Sequence, residues 1–81
     1  MRVARKRRVV LYGSRGCGWC ARERAFLDGK GVKYEYREVD NEKVAEELVR
    51  LTKGELATPV LRVGRKVVVG FDPGEIEKAL G

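Results

Sequence analysis

Val9-Val10-Leu11-Tyr12 is an unbroken apolar run ending at Gly13, the pattern of a strand covered on both faces, as in a parallel pair. From Cys17 to Lys30 the helix formers Ala21, Arg22, Glu23, Arg24, Ala25, Phe26 and Leu27 run without a breaker, and Gly29 and Gly31 offer a C-terminal stop. Residues 32–39 (VKYEYREV) then alternate apolar with charged side chains, which predicts a strand with one wet face. Asp40 and Asn41 are both good helix caps, and Val44, Ala45, Leu48, Val49 and Leu51 fall on one helical stripe, with Glu46 and Arg50 paired four apart outside and Gly54 closing the helix.

The pattern returns to period two in residues 59–63 (PVLRV) and 66–69 (KVVV), joined by Gly64-Arg65, which predicts a hairpin with a type II′ turn. Asp72-Pro73-Gly74-Glu75 opens a last helix, with Asp72 as cap, Pro73 in the first turn and Glu75 completing a capping box; Ile76, Ala79 and Leu80 face inward. The order βαβ, α, ββα calls for a right-handed crossover between parallel strands, extended by an antiparallel hairpin.

At 81 residues the chain is expected to form one domain, 1–81, with residues 1–7 as a basic N-terminal tail. The apolar run behind that tail is shorter than the roughly 7–15 residues of a secretory signal, and no stretch approaches the ~20 residues of a membrane span. A cytoplasmic location and no membrane partner are the expectation, in a compartment where thiols stay reduced. The net charge of +6 does not mark a nucleic-acid binder: five of the 18 Lys and Arg lie in positions 1–8, and the remainder carries 13 basic against 12 acidic residues.

The candidate chemistry lies in the only two cysteines, Cys17 and Cys20, three positions apart in Gly16-Cys17-Gly18-Trp19-Cys20. Half of a metal site, a structural disulfide and a redox pair are the competing readings. A tetrahedral zinc or iron centre needs four good ligands, and one chain offers two thiols and no histidine; a cluster shared by two chains stays open on arithmetic. Gly13-Ser14-Arg15-Gly16-Cys17-Gly18 fits neither nucleotide-binding glycine spacing. The redox reading fits position as well as residue type. Cys17 falls where a helix begins, so unpaired N–H groups and the helix dipole favour its thiolate, with Arg15 and Arg22 adding to the effect. Cys20, three residues on, lies on the same side of the first turn with its sulfur the more buried. Cys17 is then the attacker and Cys20 the resolver, with no bound metal or cofactor expected.

With Tyr12, Cys17-Gly18-Trp19-Cys20, Thr58-Pro59 about 40 residues after Cys17, and Gly70-Phe71-Asp72 before the last helix, the chain resembles a small glutaredoxin of the thioredoxin-like group. The resemblance implies an α/β, thioredoxin-like fold, with a four-stranded mixed sheet flanked by three helices, and dithiol thiol–disulfide exchange on protein or glutathione mixed disulfides. It implies a cis Thr58–Pro59 bond beside Cys17 that leaves the Thr58 backbone free for a peptide or glutathione. Tyr12, Arg15, Trp19, Thr58, Pro59, Gly70 and Asp72 become candidate substrate- or glutathione-binding residues. Tyr12 reads equally as sheet core, Asp72 as a helix cap, Trp19 as core or as an exposed platform.

Ser14-Arg15 stands where glutathione-using glutaredoxins carry a lysine, Gly18-Trp19 where they carry Pro-Tyr, and Val69-Gly70 where they carry Gly-Gly. Gly70-Phe71-Asp72-Pro73 more closely resembles the redoxins that supply ribonucleotide reductase and are recharged by thioredoxin reductase. Protein disulfides are the expected substrates, a monomer the expected state, and glutathione or thioredoxin reductase the electron donor. An alternative within the resemblance is a [2Fe–2S] dimer held by Cys17 of each chain and two glutathiones.

Overall fold

The computed structural model describes residues 8–81, so the basic tail at 1–7 lies outside the described residues. The order is β1 (Val9–Gly13), α1 (Gly18–Gly29), β2 (Glu35–Glu38), α2 (Glu42–Thr52), β3 (Val60–Val63), β4 (Lys66–Val69) and α3 (Pro73–Leu80). The four strands form one mixed sheet in the order β2-β1-β3-β4, with β1 parallel to β2 and antiparallel to β3, and β3 antiparallel to β4. The parallel pair and the antiparallel hairpin are those expected from the pattern, and the four-stranded mixed sheet is the one the resemblance implies.

Because successive strand residues point to opposite faces, β1 divides its side chains between two cores. Leu11 packs with Leu27 of α1, Leu61, Val63 and Val68 of the hairpin, and Ile76 and Ala79 of α3. Val10 and Tyr12 pack on the other face with Val60 and with Leu48 of α2. Each of the fully buried leucines contributes roughly 1.5–3 kcal/mol by leaving water. Helices α1 and α3 therefore cover one face and α2 the other.

The local signals end the elements as their chemistry requires. The Asn41 Oδ1 accepts the N–H of Lys43 at 2.9 Å and of Val44 at 3.3 Å, so Asn41 rather than Asp40 caps α2. Asp72 caps α3 by accepting the Glu75 N–H at 3.3 Å, with Pro73 in the first turn. Gly64 has φ +61 while Arg65 does not enter the positive region, as a type II′ hairpin demands.

Three expectations are corrected. β2 covers only Glu35–Glu38 of the predicted 32–39. Residues 30–32 are used to leave α1, with Gly31 N–H on Asp28 O at 3.0 Å and Val32 N–H on Leu27 O at 3.0 Å. The five-residue β1 then sets the available ladder, from Val10↔Glu35 to Gly13↔Glu38. On α2 the inward stripe is Val44, Leu48 and Leu51, at spacings of four and three, while Val49 points to solvent. Glu46 and Arg50 are both exposed and make none of the ion pairs found among the described residues.

No helix among the described residues is long and apolar enough to cross a membrane.

Candidate active site

The turn after β1 brings the chain over the C-terminal end of the sheet and into α1. Gly16, at φ +71, takes a left-handed conformation that disfavours side chains, and Cys17 follows in an extended conformation as the cap of α1. Its Sγ accepts the backbone N–H of Cys20 at 3.1 Å, the place a serine or aspartate oxygen takes in an ordinary cap. An ionised sulfur accepts such a bond better than a neutral one, and the first turn carries no acidic side chain to oppose the charge. Cys17 is half-buried, whereas Cys20 is 2% exposed. The two are joined as a disulfide, with Cα atoms 5.2 Å apart.

Thr58 faces them from the segment before β3. Its Oγ1 lies 3.8 Å from the Cys17 Sγ and 3.1 Å from the Ser14 Oγ, and the bond to Pro59 is cis. Among the described residues the Thr58 backbone pairs with no other backbone group outside the strands and helices. Trp19, Thr58, Pro59, Gly70 and Phe71 line a hollow of about 260 Å³ beside the sulfurs. Trp19 is 58% exposed, with its ring centroid 6.1 Å from that of Phe71 and the Arg22 guanidinium 5.1 Å above it. Gly70, at φ +85, hands its N–H to Pro59 O at 2.8 Å and so fixes the floor of this groove.

The fold thus gathers Cys17, Cys20, Trp19, Thr58, Pro59 and Gly70. It does not bring Tyr12 to them. That side chain is buried on the α2 face, and its hydroxyl donates to Glu47 Oε2 at 2.6 Å, an oxygen that also accepts from Arg37 Nη1 at 2.5 Å. Burial and then the Glu47 carboxylate push the Tyr12 hydroxyl up. Burial alone would raise the Glu47 carboxyl, but the Tyr12 hydroxyl and the Arg37 guanidinium outweigh it and hold it below the usual range.

The cations are also directed elsewhere than expected. Arg15 borders a hollow of about 220 Å³ with Cys17, Cys20, Arg24 and Tyr36, yet its Nε lies 3.5 Å from Glu38 and 3.9 Å from Asp40. Arg22 sits over Trp19 instead of reaching a sulfur. The helix mouth is therefore the main local support for a Cys17 thiolate. Asp72 is exposed and occupied as the α3 cap.

Phe71 and Ser14 also belong to the site, beyond the candidate binding residues of the sequence. Phe71 was legible in the Gly70-Phe71-Asp72 stretch, whereas the Ser14–Thr58 contact spans 44 residues and carries no local signal. Glu23 reads in the sequence as one helix former among others, yet it is 0% exposed, and neither carboxyl oxygen has a hydrogen-bond partner. Its position, three after Cys20 and four before Leu27 on the inward stripe, was readable from spacing. No group of three or more metal-ligating side chains is assembled among the described residues.

The family model described as Glutaredoxin matches residues 9–68. A glutaredoxin-like 8.6 kDa protein of the rubredoxin operon of Clostridium pasteurianum is 27% identical over 73 residues, covering 89% of this chain and 96% of its own. The crystal structure of a glutaredoxin from Archaeoglobus fulgidus superposes with a TM-score of 0.83 at 28% identity, over 91% of this chain and 86% of that one. The glutaredoxin-like NrdH-redoxin of Escherichia coli, described as having a thioredoxin-like activity profile, superposes with a TM-score of 0.75 at 27% identity, over 88% and 92%.

Proposed function

Since the chain belongs to the glutaredoxin family and is a thiol–disulfide oxidoreductase, we propose that it reduces disulfides of extended polypeptides by a dithiol mechanism, with Cys17 as nucleophile and Cys20 as resolving thiol. The observation that carries this reading is the asymmetry of the pair: the Cys17 sulfur is half-exposed at a helix mouth that favours its anion, and Cys20 is buried one turn behind it at bonding range. The Cys17 thiolate attacks a substrate disulfide and takes one sulfur as a mixed disulfide. Cys20 then attacks Cys17, closes the intramolecular bond and expels the second substrate thiol.

The substrate chain lies along the hollow that the Trp19–Phe71 pair borders, pairing with the backbone of Thr58 and covering Pro59 and Gly70. A row of such hydrogen bonds reads extended backbone without reading sequence.

For the electron donor, the reading favours a flavoprotein reductase of the thioredoxin-reductase type over glutathione. Two groups that could take the charged ends of glutathione are engaged: Arg15 by Glu38 and Asp40, and Asp72 by the first turn of α3. The thioredoxin-like activity profile printed for the E. coli relative points the same way. Protein disulfides are the substrates on this reading, with glutathione at most a weak reductant.

Insulin reduction measured side by side with NADPH plus thioredoxin reductase, and with glutathione plus its reductase, tests it. Turnover is expected in the first system, loss of all turnover in Cys17→Ser, and a trapped mixed disulfide in Cys20→Ser. Turnover only with glutathione would overturn the donor assignment. Visible absorbance and dimer formation after anaerobic reconstitution with iron, sulfide and glutathione would favour the cluster-bridged alternative.

A further inference from the structure

Glu23 is the one charged residue that is buried among the described residues, and a protein that needed only to fill this position would carry an apolar side chain. The surroundings on every side fail to partner it. On the α1 side of the sheet the packed side chains are apolar or aromatic: Leu11 from β1, Tyr34 just before β2 and Tyr36 within it, and Phe71 and Ile76 at α3, with the Arg24 guanidinium lying 4.2 Å from the centroid of the Tyr36 ring. Lys30 and Glu77 pair with each other at 3.0 Å at the far end of α1. On its own helix the residues sharing its buried stripe are Cys20 and Leu27.

Side chains on a helix lean toward its N-terminus, so a residue covers the one three or four before it. For Glu23 that residue is Cys20. In the disulfide neither sulfur carries a hydrogen, and the carboxyl oxygens have nothing to accept. Reduction puts a proton on Cys20 and creates a donor one turn away.

From this juxtaposition we propose that Glu23 is the proton acceptor for Cys20 during resolution and returns the proton when the disulfide is reopened, an inference that rests on the reading of Cys20 as the resolving thiol. In the mixed disulfide the Cys20 proton passes to a Glu23 carboxylate oxygen. The sulfur's electron pair forms the Cys17–Cys20 bond. The bond from Cys17 to the substrate sulfur breaks, and its pair leaves on that sulfur, which takes a proton from water. Two electrons have then moved from the protein dithiol to the substrate disulfide. A buried thiol has no solvent base at hand, which is why the step needs a resident one. Burial alone pushes the Glu23 carboxyl up to about 7, so near neutral pH it can both take and give a proton.

The test is a stopped-flow reaction of the reduced protein with less than one equivalent of dithiobis(nitrobenzoate), which releases a coloured thiolate twice: once when Cys17 attacks, once when Cys20 resolves. In Glu23→Gln the first release should keep its rate, and the second should slow at least about tenfold at neutral pH and lose its inflection near pH 7. Glu23→Asp, with a shorter carboxylate, should recover part of the second rate. An unchanged second phase in Glu23→Gln, or both phases slowed together, overturns the proposal. Absence of the first phase in the wild type, or its survival in Cys17→Ser, would instead overturn the assignment of Cys17, so the two failures are distinguishable.

Discussion

Replacing Glu23 by leucine, of similar size, should stabilise the oxidised protein at neutral pH, by an amount that follows from the carboxyl's position. Burial lifts it from 4.5 to about 7. Below the lower value the carboxyl is protonated in both the folded and the unfolded chain and costs nothing through ionisation. As pH rises toward the upper value the unfolded chain ionises freely while the folded one holds its proton, and stability falls. Above it the loss is complete, about 3 kcal/mol at about 1.4 kcal/mol per tenfold. That is a large share of the 5–15 kcal/mol typical of a domain. Leucine does not titrate, so the stability gap between variant and wild type should widen by about 3 kcal/mol between about pH 4.5 and about pH 8. The sequence has no histidine, the disulfide removes the thiols, and the lowered carboxyls Glu35 and Glu47 titrate below this window. Urea unfolding followed by far-ultraviolet circular dichroism reads the effect: with a slope near 1 kcal/mol per molar, the gap between midpoints should grow by about 3 M. A gap that stays constant across that range would refute the reasoning, because it would mean that Glu23 ionises as easily inside the fold as outside.

Tyr12→Phe removes a hydroxyl donated to the Glu47 carboxylate and should cost about 1–2 kcal/mol of stability by thermal unfolding, with disulfide reduction unchanged because the group lies on the α2 face. Trp19→Ala should leave stability within about 1 kcal/mol, since the ring is 58% exposed, while raising KM for a peptide disulfide several-fold more than it lowers kcat. Gly13→Ala would place a methyl 2.8 Å from the Tyr36 hydroxyl and 2.9 Å from its Cε1, so the ring must move; a loss of about 1–3 kcal/mol is expected, read from the melting temperature.

Much of the architecture was legible because its signals are local. The continuous run at β1, the caps at Asn41 and Asp72 and the Gly64 turn each announce themselves within four residues. β2 was over-read because alternation reports which face is wet, not how much partner strand is available, and β1 supplies only five residues. The cysteines could be placed at a helix mouth from spacing alone, and the wider site followed from motif resemblance. Tyr12 and Arg15 could not be placed that way. Whether a side chain beside a motif reaches it depends on strand parity and on which carboxylates fold nearby: Tyr12 falls on the even face of β1, and Glu38 and Asp40 arrive from more than 20 residues away to hold Arg15.

The bond between Cys17 and Cys20 joins residues only three apart, inside the first turn of a helix whose remaining turns are anchored through Leu27. A cross-link over so short a stretch restrains little of the unfolded chain, far less than one that ties distant segments together. Opening it leaves the sheet and both hydrophobic clusters held by contacts in which neither sulfur takes part. The scaffold can therefore be charged and discharged repeatedly while its architecture stays the same, and the redox state is written in one helical turn.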